Sequence, residues 1–443
     1  MNSHVLIIKI PYMRFVINGG RKLNGHIKLS GAKNAATKMM IASLLTSEPC
    51  ALENFPDIGD AQITEELCSS AGSKIEKQQN TFKIHTPVIV NSRVVSLSRR
   101  NRIPILALGP LLARVGEAEI PILGGDKIGP RPVDLHFDAL TAMGAEIEVL
   151  SDRYIARAKN GLRGAKIALR FPSVGATENS ILAAVLASGR TVVQNAAVEP
   201  EILDLIKMLQ KMGAIIELGA NRIIYIDGVS GLRGVRHRIL PDRNEAVSFA
   251  CLAAATGGEI LAEDARQDDL ITFLNTFRRI GGEYEIKENG IVFRRKEELW
   301  PAKIETDTHP GFMTDWQQPL TVLLTQANGV SQLHETIYED RFGYAQDLNL
   351  MGANITVDRK CLGELDCRFK DKGFNHSALI AGPTKLKAAN LTVRDLRSGI
   401  AHVIAALVAE GESVINGVEE IDRGYRDLDG RLRALGADIR RKL

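Results

Sequence analysis

Several ionisable residues in this chain sit where their types could grip an anion. Lys33 falls in Leu29-Ser30-Gly31-Ala32-Lys33-Asn34, where a strand over residues 26–29 runs through a glycine into a helix. A lysine at that junction lies beside free backbone N–H groups and the positive helix end, a setting that favours an anion. It reads equally as a solvated lysine in a first helical turn. A second segment, Leu123-Gly124-Gly125-Asp126-Lys127-Ile128-Gly129-Pro130-Arg131-Pro132-Val133-Asp134-Leu135-His136, puts one acid and two cations on a loop rich in glycine and proline. Such a loop can adopt unusual dihedrals and can move. Arg102, shortly before Leu106-Ala107-Leu108-Gly109-Pro110, can face the same space. Asp315 opens an apolar helix in Phe312-Met313-Thr314-Asp315-Trp316-Gln317, where a carboxylate alone is as good an N-cap as a reactive group. Arg341, Arg397 and Arg423 each stand next to an acid and near the start of a helix. They form either structural ion pairs or a ring that holds an anion.

Bulk composition narrows what such residues can serve. The 56 Lys+Arg nearly balance 53 Asp+Glu, and aromatics are 5% of the chain with no basic runs between them. Nucleic acid is therefore not an expected partner, and any anion must be held by a few placed cations. No apolar run approaches a membrane span. Residues 5–10 are apolar but short and lack a small-residue cleavage site, so they read as an edge strand or an extension before Met13. Five cysteines without a Cys-x-x-Cys pair point to reduced thiols and a cytoplasmic protein. Cys361 and Cys367 lie near His376, but no fourth ligand stands at a suitable spacing, so neither metal nor cofactor is assigned.

The elements that position these residues come from a repeat. Six helix-like stretches end in an apolar residue, a glycine and a small residue: Ala71-Gly72-Ser73, Met143-Gly144-Ala145, Met212-Gly213-Ala214, Ile280-Gly281-Gly282, Met351-Gly352-Ala353 and Leu435-Gly436-Ala437. A glycine there supplies the left-handed residue that ends a helix, and a spacing of roughly 70 residues marks a reused unit. Alternating strands follow over residues 146–149, 215–218 and 437–439, and helices are expected over 135–143, headed by Asp134, and 202–212, headed by Glu199-Pro200-Glu201. Gly161-Leu162-Arg163-Gly164 and Gly231-Leu232-Arg233-Gly234 read as hairpin-like junctions. A chain of 443 residues exceeds one ordinary core, so two domains of three units each are expected. Residues 358–383 lengthen the last interval and read as a surface insertion.

Taken in order, these segments resemble the enolpyruvyl transferases, in particular the branch that acts on UDP-N-acetylglucosamine. The motifs are Ser-Gly-Ala-Lys-Asn, Gly-Pro-Arg-Pro-Val-Asp-Leu-His, Pro-Ser-Val-Gly-Ala-Thr-Glu-Asn from Pro172, Glu-Pro-Glu-Ile, Leu-Pro-Asp-Arg, Thr-Asp-Trp-Gln, Asp-Leu-Arg and Ile-Asp-Arg-Gly-Tyr. The Ser-Lys-Ser motif of the shikimate-phosphate branch is not found. The resemblance implies a two-domain inside-out α/β barrel of six repeated βα units. One lobe would hold residues 1–32 and 240–443, the other 33–239 with a mobile loop at 123–132, and the substrates would lie between them. The implied reaction moves the enolpyruvyl group of phosphoenolpyruvate to the 3′-hydroxyl of UDP-N-acetylglucosamine and releases phosphate.

The resemblance also implies roles. Asp315 takes the proton from the sugar hydroxyl, and Asp126 gives one to C3 of phosphoenolpyruvate. Lys33, Arg131, Arg397 and Arg423 grip phosphate and carboxylate. Arg102, Arg131, Pro132, Val133, Asp134, Leu135, Ser173, Val174, Gly175 and Ile337 contact the nucleotide sugar. Asn34 touches a substrate, and Arg341 and Asp395 are cleft neighbours. Asp126 stands where many members carry a cysteine, so it needs a closed, partly desolvated site with Lys127 facing solvent. A carboxylate is also a poorer nucleophile than a thiolate towards the epoxide fosfomycin, and resistance is expected. Gly59, Gln62 and Val247 are further departures. Transfer to another nucleotide and an inactive nucleotide-sugar-binding paralogue are the alternatives; one is disfavoured by the Pro132 and Pro172 motifs, the other by the joint presence of Lys33, Asp126, Arg131, Asp315 and Arg423. The sequence carries no signal for oligomeric state.

Overall fold

Apolar runs with no polar face make helices that must be covered on every side. Residues 248–255, 320–324 and 400–407 are such runs, buried throughout. The helices containing them, Arg243–Thr256, Gln317–Leu324 and Leu396–Val408, pack against one another inside one core. A second core is built around Lys33–Ala42 against Gly59–Ala71 and Pro200–Lys211, and Leu108–Val115 against Val174–Ala184. The computed structural model describes residues 13–94, 96–99, 101–125, 132–364 and 367–443. The reading of residues 5–10 and those of Asp126, Lys127 and Arg131 lie outside them.

The first core draws on residues 15–29 and 246–439, the second on 32–240. The chain therefore passes between them twice, and the two passages are strapped together. The Ala32 N–H donates to the Leu240 carbonyl at 2.8 Å, the Asp242 N–H to that of Ser30 at 2.8 Å, and Gly31 bridges Pro241. A Cβ on Gly31 would fall 1.8 Å from the Asn54 carbonyl oxygen, so no side chain fits there.

Among the described residues the strands form six sheets. In one, Arg14–Asn18 runs antiparallel to both Glu412–Asn416 and Asp438–Lys442, with Asn390–Thr392 parallel at the edge. Four other sheets have the same plan of three antiparallel strands and one parallel edge strand. The sixth joins Glu117–Pro121, Arg153–Arg157 and Glu146–Val149, with a parallel bridge between Arg93 and Glu119 in the edge position. The glycines at 72, 144, 213, 281, 352 and 436 have φ between 92° and 114°, the left-handed region that an L side chain disfavours. After five of them the next N–H reaches back six residues' span into the helix, as Ala145 does to the Leu140 carbonyl at 3.0 Å.

Three local expectations change. The two Gly-Leu-Arg-Gly segments close no hairpins: Arg153–Arg157 and Lys166–Ala168 lie in different sheets, as do Ile223–Asp227 and Arg236–Arg238. These turns hand the chain to the next sheet, whose edge strand is parallel and so cannot come from a tight turn. The expected helix starts move by one or two residues, to Asp134–Ala142 and Pro200–Lys211; Asp134 becomes the first helical residue, its carboxylate accepting from the Leu135 N–H at 2.9 Å, and Glu199 makes no side-chain cap bond. The 358–383 insertion is a long connection between the paired strands Asn354–Asp358 and Ser377–Gly382. It is not only a surface feature, since Phe369 and His376 are buried.

Candidate active site

A cavity of about 380 Å³ is lined by residues from both cores. Helices begin at it. Lys33, Asp134, Val174 and Arg243, the first residues of Lys33–Ala42, Asp134–Ala142, Val174–Ala184 and Arg243–Thr256, all line it, as does Asp315 just ahead of Gln317–Leu324. Each start carries a partial positive charge and first-turn N–H groups that have no partner within their own helix ladder, so the space suits an anion.

Asp315 is not a cap. It lies in a single 3-10 turn, Thr314–Trp316, and no side chain caps the following helix. Its carboxylate accepts from Arg341 and lies 3.1 Å from the Arg397 Nη2. Burial works against its charge, but Arg397 and Arg341 outweigh burial and hold the carboxyl well below the usual range. Arg341 also donates to the Thr314 hydroxyl at 3.0 Å, and its guanidinium lies over the Tyr338 ring. Neither Arg341 nor Arg397 lines the cavity itself; both reach it through Asp315. Asp395 caps the helix Leu396–Val408, accepting from the N–H groups of Arg397 and Ser398 at 3.0 Å each, and so aims Arg397 rather than facing the cavity.

On the other side Lys33 and Arg423 share a carboxylate that sequence reasoning missed. Asp60 lies 2.9 Å from the Lys33 Nζ and accepts from the Arg423 Nε at 3.1 Å. Burial opposes its charge, and the two cations overcome it, so Asp60 too sits well below the usual range. The pair crosses the cores, because Asp60 belongs to the helix Gly59–Ala71 and Arg423 ends the short helix Glu419–Asp422. Arg423 is thus at a helix end, not a start. The adjoining Gly59 is tight: a Cβ there would lie 3.3 Å from the Arg423 Cα. An acid in a first helical turn was the available signal for Asp60, but it is an ordinary dipole partner in most helices.

A third wall carries Asn34, Arg102, Pro132, Asp134, Leu135, Ser173, Val174, Gly175 and Ile337, all lining the cavity. Val133 does not line it. Ser173 caps its helix by accepting from the Ala176 N–H at 3.3 Å. Gly175 must stay small, since a Cβ would come 3.1 Å from the His136 ring. Burial, reinforced by Arg102, pushes His136 down to about 3, so the ring is neutral. The lining also includes the buried pair Lys38 and Glu178, 4.0 Å apart. Burial lowers Lys38 and raises Glu178 to about 7. Arg243 lines the cavity while donating twice to Glu201 at 2.9 Å. Arg368, from the 358–383 connection, lines it too.

A cleft between two cores, ringed by helix starts and by arginine–carboxylate clusters, is a site built to handle anions. The chain matches the family described as EPSP synthase (3-phosphoshikimate 1-carboxyvinyltransferase) over residues 17–432. Its fold matches solved enolpyruvyl transferases: NikO from Streptomyces tendae, with a TM-score of 0.85 and 23% identity over 98% of this chain and 99% of that one, and EPSP synthase from Acinetobacter baumannii, with a TM-score of 0.70 and 18% identity over 97% and 100%. The UDP-N-acetylglucosamine 1-carboxyvinyltransferase of Chlamydia pneumoniae is 49% identical over 95% of this chain and 93% of its own length. That of Protochlamydia amoebophila is 46% identical over 96% and 93%, and that of Azorhizobium caulinodans 42% over 96% and 98%. The chain belongs to the UDP-N-acetylglucosamine 1-carboxyvinyltransferase family.

Proposed function

We infer that this enzyme transfers the enolpyruvyl group of phosphoenolpyruvate to the 3′-hydroxyl of UDP-N-acetylglucosamine, releasing phosphate. The observation that carries the reading is Asp315 held by Arg341 and Arg397 in the same cavity as the Lys33–Asp60–Arg423 cluster. The sugar oxygen adds to C2 of phosphoenolpyruvate as its proton passes to Asp315, and C3 takes a proton from Asp126. The C2–O bond to phosphate then breaks, phosphate leaves, and C3 returns a proton. Lys33, Arg131, Arg397 and Arg423 stabilise the anionic tetrahedral intermediate. The wall from Arg102 through Ile337 receives the nucleotide sugar.

Asp315 as found is a weak base, because two guanidiniums stabilise its charge. A dianionic substrate that draws Arg397 toward itself removes part of that stabilisation and raises the carboxyl. The base is then strengthened when the second substrate is in place.

In this reading six copies of one βα unit form an inside-out barrel, three near Gly72, Gly144 and Gly213 and three near Gly281, Gly352 and Gly436. The lobes 33–239 and 1–32 with 240–443 close over the substrates and bring the loop at 123–132 over them. The protein acts in the cytoplasm at the first committed step of peptidoglycan precursor synthesis, on which cell shape and division depend. The test is phosphate release from phosphoenolpyruvate with UDP-N-acetylglucosamine as acceptor. Release only with a different nucleotide, or none at all from folded protein, overturns it.

A further inference from the structure

Away from the reaction chemistry, the 358–383 connection gathers two thiols and two imidazoles at one point. The donor atoms of His334, Cys361, Cys367 and His376 all lie within 4.8 Å of one another. His334 comes from the strand Gly329–His334, which pairs with Ser377–Gly382, so the sheet itself brings His334 to the mouth of the connection. This is the fourth ligand that linear spacing did not offer.

Hydrogen bonds around the cluster fix which nitrogen of each ring faces it. His376 Nδ1–H donates to the Phe374 carbonyl at 2.7 Å, leaving the Nε2 lone pair 3.3 Å from the Cys361 sulfur. Ser377 spends its hydroxyl proton on the Lys360 carbonyl at 2.6 Å, so it accepts from His334 Nδ1–H at 2.8 Å. His334 Nε2 is then also a lone pair, and it is buried with no hydrogen-bond partner among the described residues. An orphaned buried acceptor of this kind calls for a partner such as an ion. Outer partners that orient ligating imidazoles are the usual support of a metal centre. Glu305, 3.8 Å from that nitrogen, adds negative charge beside the cluster. Gly363 lets the chain lie close against it: a Cβ would fall 2.4 Å from His334 Cδ2.

We propose that His334, Cys361, Cys367 and His376 bind one structural Zn²⁺. Zinc–sulfur and zinc–nitrogen bonds in a tetrahedron set donor atoms roughly 3.3–3.8 Å apart, a small contraction of the cluster as it stands. Two thiolates and two imidazoles form a closed set with no open position, which marks a structural site rather than a catalytic one. The ion has a consequence for the cleft. Arg368 follows Cys367 directly, donates to the Thr336 carbonyl at 3.2 Å and to that of Ile337, and lies 4.5 Å over the Phe171 ring. Zinc pins the root of this arginine while its head joins residues on both sides of the cavity. That second effect, unlike the metal site, rests on the function proposed above.

The test uses the full-length protein purified under reducing conditions without chelator. Elemental analysis should find about one zinc per chain, falling below a tenth in folded Cys361→Ser/Cys367→Ser. Co²⁺ added to zinc-stripped protein should give tetrahedral d–d and sulfur-to-cobalt absorption, absent from that variant. Should the double variant fail to fold, His376→Asn supplies the same comparison. Folded wild-type protein with neither zinc nor a cobalt spectrum, equal zinc in the variants, or a Cys361–Cys367 disulfide in place of the metal overturns the site. Zinc removal should raise KM for the nucleotide sugar several-fold with kcat nearly unchanged. An unchanged KM overturns the pinning of Arg368, whereas zinc-loaded protein without any transferase activity overturns the function reading and leaves the metal site standing.

Discussion

Replacing Asp315 by asparagine separates its two tasks, because the amide keeps the shape and loses the charge. The carboxylate sits 3.1 Å from the Arg397 Nη2 and accepts from Arg341, and all three side chains are largely buried. Removing one partner of a buried ion pair costs about 3–5 kcal/mol, since the other charge is left uncompensated. One amide oxygen still accepts a bond, so Asp315→Asn should lie near about 3 kcal/mol. At about 2–4 °C per kcal/mol for domains of this size, the melting temperature should fall by about 6–12 °C. Loss of a general base slows chemistry about 10²–10⁴-fold, or about 3–5 kcal/mol of barrier. Rapid-quench phosphate release should show that drop in kcat, while calorimetry finds UDP-N-acetylglucosamine binding within about threefold of wild type. The two released guanidiniums should also take up inorganic phosphate, so phosphate should raise the melting temperature more in the variant than in wild type. Turnover within tenfold of wild type would refute Asp315 as the base. Loss of nucleotide-sugar binding from folded variant would make the residue structural.

Other outcomes follow from single contacts. His136 titrates near 3 when folded, against an unfolded value of about 6.5, so the folded state binds fewer protons between those values and loses stability as pH falls through that window. The loss should reach about 2 kcal/mol at pH 5, and His136→Gln should flatten it in urea melts at pH 7 and pH 5; an unchanged slope counts against the assignment. Asp126→Cys should install covalent labelling by fosfomycin, detected by intact-mass spectrometry, that the native enzyme lacks; labelling of native protein at position 126 would refute the resistance argument. Gly31→Ala drives a Cβ into the Asn54 carbonyl oxygen where the two passages between cores are strapped. It should destabilise by more than the about 1–3 kcal/mol typical of overpacking, and a melting temperature within 2–4 °C of wild type, about 1 kcal/mol, would refute that.

How much of this was legible in the chain depended on the range of each interaction. The helix-ending glycines are local, since a left-handed residue after a helix is a property of a few adjacent positions, and all six carry positive φ. Lys33, Asp315 and Arg423 each read as structural or functional from their own neighbourhoods, and only the motifs that contain them pointed to one shared site. Their partners were not legible. Asp60 and Arg423 are 363 residues apart, and nothing near Asp60 distinguishes it from any acid in a first helical turn. The Gly-Leu-Arg-Gly turns misled for the same reason: a hairpin and a passage to a parallel edge strand use the same turn residues, and only the destination of the next strand separates them.

The Cys–His cluster carries this furthest. Two cysteines and one histidine in a single connection looked incomplete, because metal motifs are recognised by short spacings along the chain. Antiparallel pairing supplies what spacing does not: Ser377 stands opposite His334, so the residue before Ser377 and the end of the partner strand meet in space. A ligand set can therefore be completed by a sheet register rather than by a motif. Where an insertion rich in cysteine and histidine joins two strands, the neighbouring strand's terminal residue is the position to inspect. In this protein that residue is a buried histidine whose second nitrogen has no hydrogen-bond partner among the described residues.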